Sequence, residues 1–189
     1  VTNSVQVFGA RYVPGTGFAQ AFSVVGGNID GLQRMELAND GSYRLCGRAR
    51  QVIIAGNTQH PLGAANADYG FVAKAAANGV LQWHAAADKF EPFDLAVAAD
   101  GTTHLIAAYL NTGVFPSAGG ALAGLVAAGN ADRALMRYSD NGILQQVDVT
   151  ATPQGEIAYR MRPDACGNLH MASVDGLTGA YTHIRAMAC

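Results

Sequence analysis

NADYGFVAKAAANGVLQW, residues 66–83, returns in altered form as NADRALMRYSDNGILQQV, residues 130–147. In both copies apolar, aromatic and β-branched residues flank an Asn-Gly pair, Asn78-Gly79 and Asn141-Gly142. Such runs read as a β-hairpin, because Asn and Gly tolerate the positive φ of a tight type I′ turn. A second hairpin precedes each copy. MELANDGSYRLCG (35–47) and LAVAADGTTHLIA (95–107) align through Asp40-Gly41 and Asp100-Gly101. YRMRPDACGNLHMAS (159–173) is a third version with a longer turn around Cys166-Gly167-Asn168. ARYVPGTGFAQAFSV (10–24) mirrors MRYSDNGILQQVDV through Arg11-Tyr12 and Arg137-Tyr138.

The order is hairpin, long loop, hairpin, then again. Gly41 and Gly101 are 60 residues apart, Asn66 and Asn130 are 64 apart. Four strands at that period predict an all-β fold of antiparallel, four-stranded, blade-like repeats, either a partial β-propeller or an open β-repeat array. Each unit has an apolar face that it cannot bury alone, so neighbours must cover it. The chain reads as one domain, 1–189, with a partial unit (1–27), two full units (28–88 and 89–151) and a second partial unit (152–189). QWHAAADKF (82–90) has room for a helical turn or two at most. Closed propellers take about 4 to 8 blades. The expectation is therefore a piece of a longer chain, a ring completed by a second copy, or an open array with protected edges.

Composition narrows the function. Half of the 189 residues are apolar and 14% are charged, which argues against disorder. With a net charge of −2 and no basic cluster, neither nucleic-acid binding nor a polybasic membrane anchor is expected. The richest apolar run, AGGALAGLVAAG (118–129), is far short of a roughly 20-residue membrane span. A start at Val1 without Met fits a processed or trimmed segment. Abundant Ala and Gly, with only Lys74 and Lys89 as lysines, fit a GC-rich bacterial genome.

GVFPSAGGALAGLVAAGNADRALMRYSDNGILQQV (113–147) resembles the bacterial β-propeller repeat often called SBBP. Its usual pattern is a Gly-Asn strand, a loop with Phe-Pro, an Asp-Ala-Phe-Val-Ala-Lys strand and an Asn-Gly turn. Asp68 through Lys74 with Asn78-Gly79 fit it, as do Phe115-Pro116, Asp132, Asn141-Gly142 and Gly167-Asn168-Leu169. Leu135-Met136-Arg137-Tyr138 departs from Phe-Val-Ala-Lys, and the loop after Cys46 lacks Phe-Pro. The resemblance implies a secreted or cell-surface bacterial protein. It implies no catalytic residues.

Three cysteines are present. A tight turn centred on Leu177-Thr178 pairs Gly176 with Gly179, and the same register sets Cys166 opposite Cys189. Neighbouring antiparallel strands bring Cα atoms to roughly 5 Å, within disulfide reach. A Cys166–Cys189 bridge would contribute about 3 kcal/mol and imply an oxidising compartment. Cys46 reads as a buried apolar residue; the sharper reading is an intermolecular bridge or reactive thiol.

Arg44, His104 and His170 each lie three residues after an aligned glycine. They form the candidate ligand-binding set, for an anion or for a metal at the two histidines; the plainer reading is a hydrogen-bonded polar residue between blades. Asp68 and Asp132 align at strand starts and suit loop-tethering hydrogen bonds. Ile53, Ile54, Phe115, Leu122 and Leu125 make the long loops apolar, fit either for packing or for a protein contact. No HExxH, CxxC, GxSxG or phosphate-loop pattern occurs, so no catalytic residue, metal site or cofactor is assigned.

The expected function is a non-enzymatic module, extracellular, cell-surface or periplasmic, working by self-assembly or by contact with a bacterial surface protein. The first alternative is a carbohydrate- or small-ligand-binding propeller using Trp83, Tyr109 and Tyr138 as platforms. The second is a propeller lyase or hydrolase, which needs Arg44, His104 and His170 to converge.

Overall fold

The computed structural model describes residues 6–55, 58–62, 67–109, 114–118, 131–150, 156–164, 168–175 and 181–186. Among them every regular element is a strand. A hairpin of β1 (Gln6–Val13) and the first half of β2 (Gly17–Leu37) leads into a sheet of β2, β3 (Tyr43–Ala55), β5 (Asp68–Ala75) and β6 (Leu81–Asp88). β4 (Thr58–Pro61) pairs with the far end of β3. The second sheet orders β7 (Phe90–Val97), β8 (Thr103–Tyr109), β9 (Asp132–Tyr138) and β10 (Leu144–Thr150). The third holds β11 (Glu156–Pro163), β12 (Leu169–Asp175) and β13 (Tyr181–Ala186). Among the described residues all pairings are antiparallel, and no sheet closes on itself. This is the open, all-β repeat array that the sequence predicts.

Irregularities in the ladders establish which positions are equivalent. The first strand of each unit shifts register at one equivalent place, between Leu32 and Arg34, Pro92 and Asp94, and Ala158 and Arg160, and β2 has two further shifts between Gly26 and Gly31. Fourth strands bulge once too, so that Trp83 pairs with Lys74 but Leu81 with Ala75, and Gln146 with Arg137 but Leu144 with Tyr138. The β1–β2 hairpin repeats this register: Gln20 faces Arg11 and Phe18 faces Tyr12. That hairpin is thus the third and fourth strands of a unit, and β11–β13 are the first three. β2 runs unbroken across the expected boundary at 27/28.

Three expectations change. Gly41, Gly79, Gly101 and Gly142 have positive φ, but their neighbours do not. Hydrogen bonds Gly41 N to Ala38 O and Ala38 N to Ser42 O, with their counterparts at 76–80, 98–102 and 139–143, define three-residue loops. These are type I turns closed by one left-handed glycine, not type I′ turns. QWHAAADKF is no helix: Leu81–Asp88 pairs along β5, and the ladder overrides alanine's helical preference. Finally, β3 pairs Ala49 with Tyr69 whereas β8 pairs Tyr109 with Asp132. Asp132 therefore corresponds to Tyr69, not to Asp68. The identical Asn-Ala-Asp triplets suggested a spacing one residue too long, and one residue reverses a strand's faces.

Alternation assigns the faces. Cys46 and Val72 join Leu95, Leu105, Met136 and Tyr138 in the core between the first two units. Ala96 and Ile106 meet Met161, Leu169 and Met171 between the second and third. Leu45, Phe71 and Ala73 look the other way. There Ile53 and Leu62 fold back over them, so β3's far end and the segment after β4 cap the first unit.

Candidate functional site

Two polar clusters tie the units together. The first lies at the turn end. Arg44 on β3 is fully buried, and its guanidinium donates to Ser42 Oγ (2.5 Å), Thr103 Oγ1 (3.1 Å) and Asp140 Oδ1 (2.5 Å). Lys74 Nζ on β5 reaches both Asp140 oxygens at 2.7 Å and Asp40 Oδ2 at 3.4 Å. Asp140 sits in the β9–β10 turn, so two cations of the first unit share one carboxylate of the second. Trp83 Nε1 donates to the Asp140 carbonyl at 2.8 Å, and its ring stacks on Tyr138. Asp40 accepts from the Ser42 hydroxyl and Ser42 N, then from Lys74, which together hold its pKa down at about 2.

The second cluster is on the first strands. Asp94 of β7 is fully buried. Its oxygens accept from Leu95 N (3.0 Å), Met161 N (2.8 Å) and Arg162 Nη1 (3.1 Å), with Arg34 Nε at 3.3 Å. One carboxylate thus joins strands of all three units. Burial raises the pKa of the neighbouring Glu36, against the pull of Arg34 and Arg162.

The three residues of the expected ligand set have different surroundings. Arg44 spends its donors on the first cluster. His170 Nε2 lies 3.2 Å from Asp164 Oδ2 of its own unit. His104 is on the face toward the third unit, and burial followed by the Arg137 charge lowers its pKa. Arg44 and His170 are thus engaged with different partners.

Ile53 and Phe115 are buried in the chain's own core, so packing accounts for them rather than an exposed contact surface. The side chain of Ile54, and all of Leu122, Leu125, Cys166 and Cys189, lie outside the described residues. Tyr109 and Tyr138 are buried, which removes two of the three ring platforms. Asp68 accepts from Arg50 Nε at 2.7 Å. Cys46 is buried and burial pushes its thiol pKa far up, so it is not a reactive thiol.

Asp94 and Asp140 were the residues missed. Asp94 interrupts an apolar run, FEPFDLAV, and an acid there signals a buried pair. Asp140 replaces the alanine of the first copy, Ala77.

A shallow depression between the turns is lined by Asn39, Asp40, Asp100, Gly101 and Asp140. Among the described residues, no three His, Cys, Asp or Glu side chains are placed to hold a metal ion, and no helix is long and apolar enough to cross a membrane. No family model matches the chain, and no curated protein matches it.

Proposed function

We propose that this chain is a non-enzymatic β-repeat module of a secreted or cell-surface bacterial protein, working by self-assembly or protein contact. One observation carries this. Among the described residues each unit packs against the next through its own apolar face and through side chains shared between sheets, with no polar cluster left open to a substrate-sized cavity. Its conspicuous buried charges, Arg44, Lys74 and Asp94, are spent on holding units together. The SBBP-like repeat pattern supports the same reading.

Light scattering after size exclusion, over a concentration series, tests it. The expected result is a mass that grows with concentration. A strict monomer throughout, with no partner retained on the intact chain, overturns it. An oxidising location has its own check. β12 and β13 pair Leu169 with Ala186 and His170 with Arg185, the register from which Cys166–Cys189 was expected. Non-reducing peptide mapping should recover those two cysteines linked; two free thiols in oxidised protein would remove that support.

A further inference from the structure

We propose that His60 and His84 form a binding site for a divalent cation of the zinc, nickel or copper class, held between β4 and β6. The two rings come from strands that no ladder joins: among the described residues β4 pairs with the far end of β3, and β6 with β5. The registers bring them together. Ile53 faces His60 across the β3–β4 pair, and directly opposed residues put their side chains on one side of a sheet. Ile53 belongs to the apolar layer of Leu45, Phe71 and Ala73. On β6, His84 faces Ala73 of that same layer. Both imidazoles therefore reach the rim of one layer, where each is half-buried.

Their ring centres are 5.4 Å apart and their planes meet at 71°. Two imidazole nitrogens on one tetrahedral ion, each about 2.0–2.1 Å from the metal, set the ring centres about 5 Å apart. The observed spacing is close to that of a shared ligand pair. His84 also carries the orienting contact of a metal ligand: its ring N–H donates to the Pro61 carbonyl. That bond fixes the tautomer and leaves the other ring nitrogen with its lone pair, as backbone carbonyls do for ligating histidines. Pro61 follows His60 on β4, so the strand that carries one ligand also orients the other. Among the described residues the His60 ring makes no hydrogen bond, which leaves its lone pair uncommitted.

The ligand type sets the class of ion. Imidazole suits zinc, copper and nickel, whereas magnesium and calcium take oxygen ligands. Among the described residues no third His, Cys, Asp or Glu joins the pair, so water fills the remaining positions and the ion exchanges readily. Its effect is that of a clip. His60 lies on the strand that caps the first unit and His84 on that unit's fourth strand, so one ion links the cap to the sheet beneath it. By linkage, an ion that binds only with the cap closed stabilises the closed cap.

The test titrates zinc ion alone into the full chain, above the usual histidine pKa of about 6.5, and follows it by proton–nitrogen NMR of the histidine rings beside hydrogen exchange. The His60 and His84 ring signals should shift together, and amides of 52–55 and 58–60 should exchange more slowly. His60→Asn and His84→Asn, polar changes at half-buried positions, should each weaken zinc binding by about tenfold or more. The remaining ring should then stay unmoved at zinc concentrations that saturate the unaltered chain. Dispersed amide spectra of the metal-free variants check that they fold, and glutamine replaces either histidine where asparagine does not fold. Rings that do not move, a shift confined to other histidines, or a variant whose remaining ring still responds as before overturns the site. Both rings shifting with exchange in the cap unchanged overturns a shared ion, since two separate surface contacts would do the same.

Discussion

The contact between the first and second units and that between the second and third are built from equivalent strands and differ in kind. The first buries a continuous core around Cys46, Val72, Leu105, Tyr109 and Met136, wedged by Phe115. It is sealed at the turn end by the Arg44–Asp140–Lys74 cluster and the Trp83–Tyr138 stack. The second contact rests on Ile106, Met161, Leu169 and Met171, with Asp94 as its polar centre. At positions equivalent to Trp83 and Ala85 the second unit has Gln146 and Asp148, both exposed. Among the described residues, the third unit is held by fewer apolar side chains and by one carboxylate, so such a repeat fold need not be uniformly stable.

Asp94→Ala should have the largest effect. It leaves the buried Met161 N–H and the partly buried Arg34 without their acceptor, while Arg162 is exposed and keeps its bond to Met161 O, at about 3–4 kcal/mol in denaturant unfolding. Exchange in 156–164 and 168–175 should rise before any change in the first unit. Equal loosening of all units would refute the division drawn above. Asp140→Ala should cost about 2–3 kcal/mol, less because that carboxylate is half exposed while Arg44 and Lys74 are not. It should loosen the contact between the first two units, with Trp83 fluorescence shifting as its environment changes. An unchanged midpoint would mean that water satisfies both cations.

Gly142→Ala tests backbone and packing together. Gly142 has φ +78°, and an added Cβ would lie 2.5 Å from the Trp83 ring. The left-handed conformation alone costs about 1–2 kcal/mol for alanine. Gly15→Ala, with φ +81° and open space around it, should cost only the backbone part. Equal losses at the two sites would show that the ring yields freely.

The smallest effect is that of pH. Burial, followed by the charge of His60, lowers the pKa of His84, and burial lowers that of His104. A base with a depressed folded pKa stabilises the fold above its unfolded value. That contribution fades as pH falls below about 6.5. Thermal midpoints should therefore drop between pH 7.5 and 5.5, and less so in a His84→Asn variant. Asp40, held at about pKa 2, loses its contribution only at lower pH, as protonation proceeds from the usual carboxylate range down to about 2.

The architecture was legible because hairpins are local: Asp40-Gly41, Asn78-Gly79, Asp100-Gly101 and Asn141-Gly142 all mark real turns. Even the N-terminal mirror, Arg11-Tyr12 against Arg137-Tyr138, holds in the ladder register. The polar clusters were less legible. Lys74 belonged to a recognisable motif, but its partner Asp140 is 66 residues away, and only the packing of sheets brings them together. The alignment of Asp68 with Asp132 failed because residue identity was weighed above strand register.

The shared carboxylate of Asp140 has a bearing on how such a chain can evolve. Repeat genes grow and shrink by copying whole units, which is harmless when units are interchangeable. Here the turn position equivalent to Asp140 is Ala77 in the preceding unit. A duplication that placed another copy of the first unit after Lys74 and Arg44 would set alanine where they need an acid. The order of these units is therefore fixed by electrostatics, and a recombinant that shuffles them must acquire a compensating acid at the same turn.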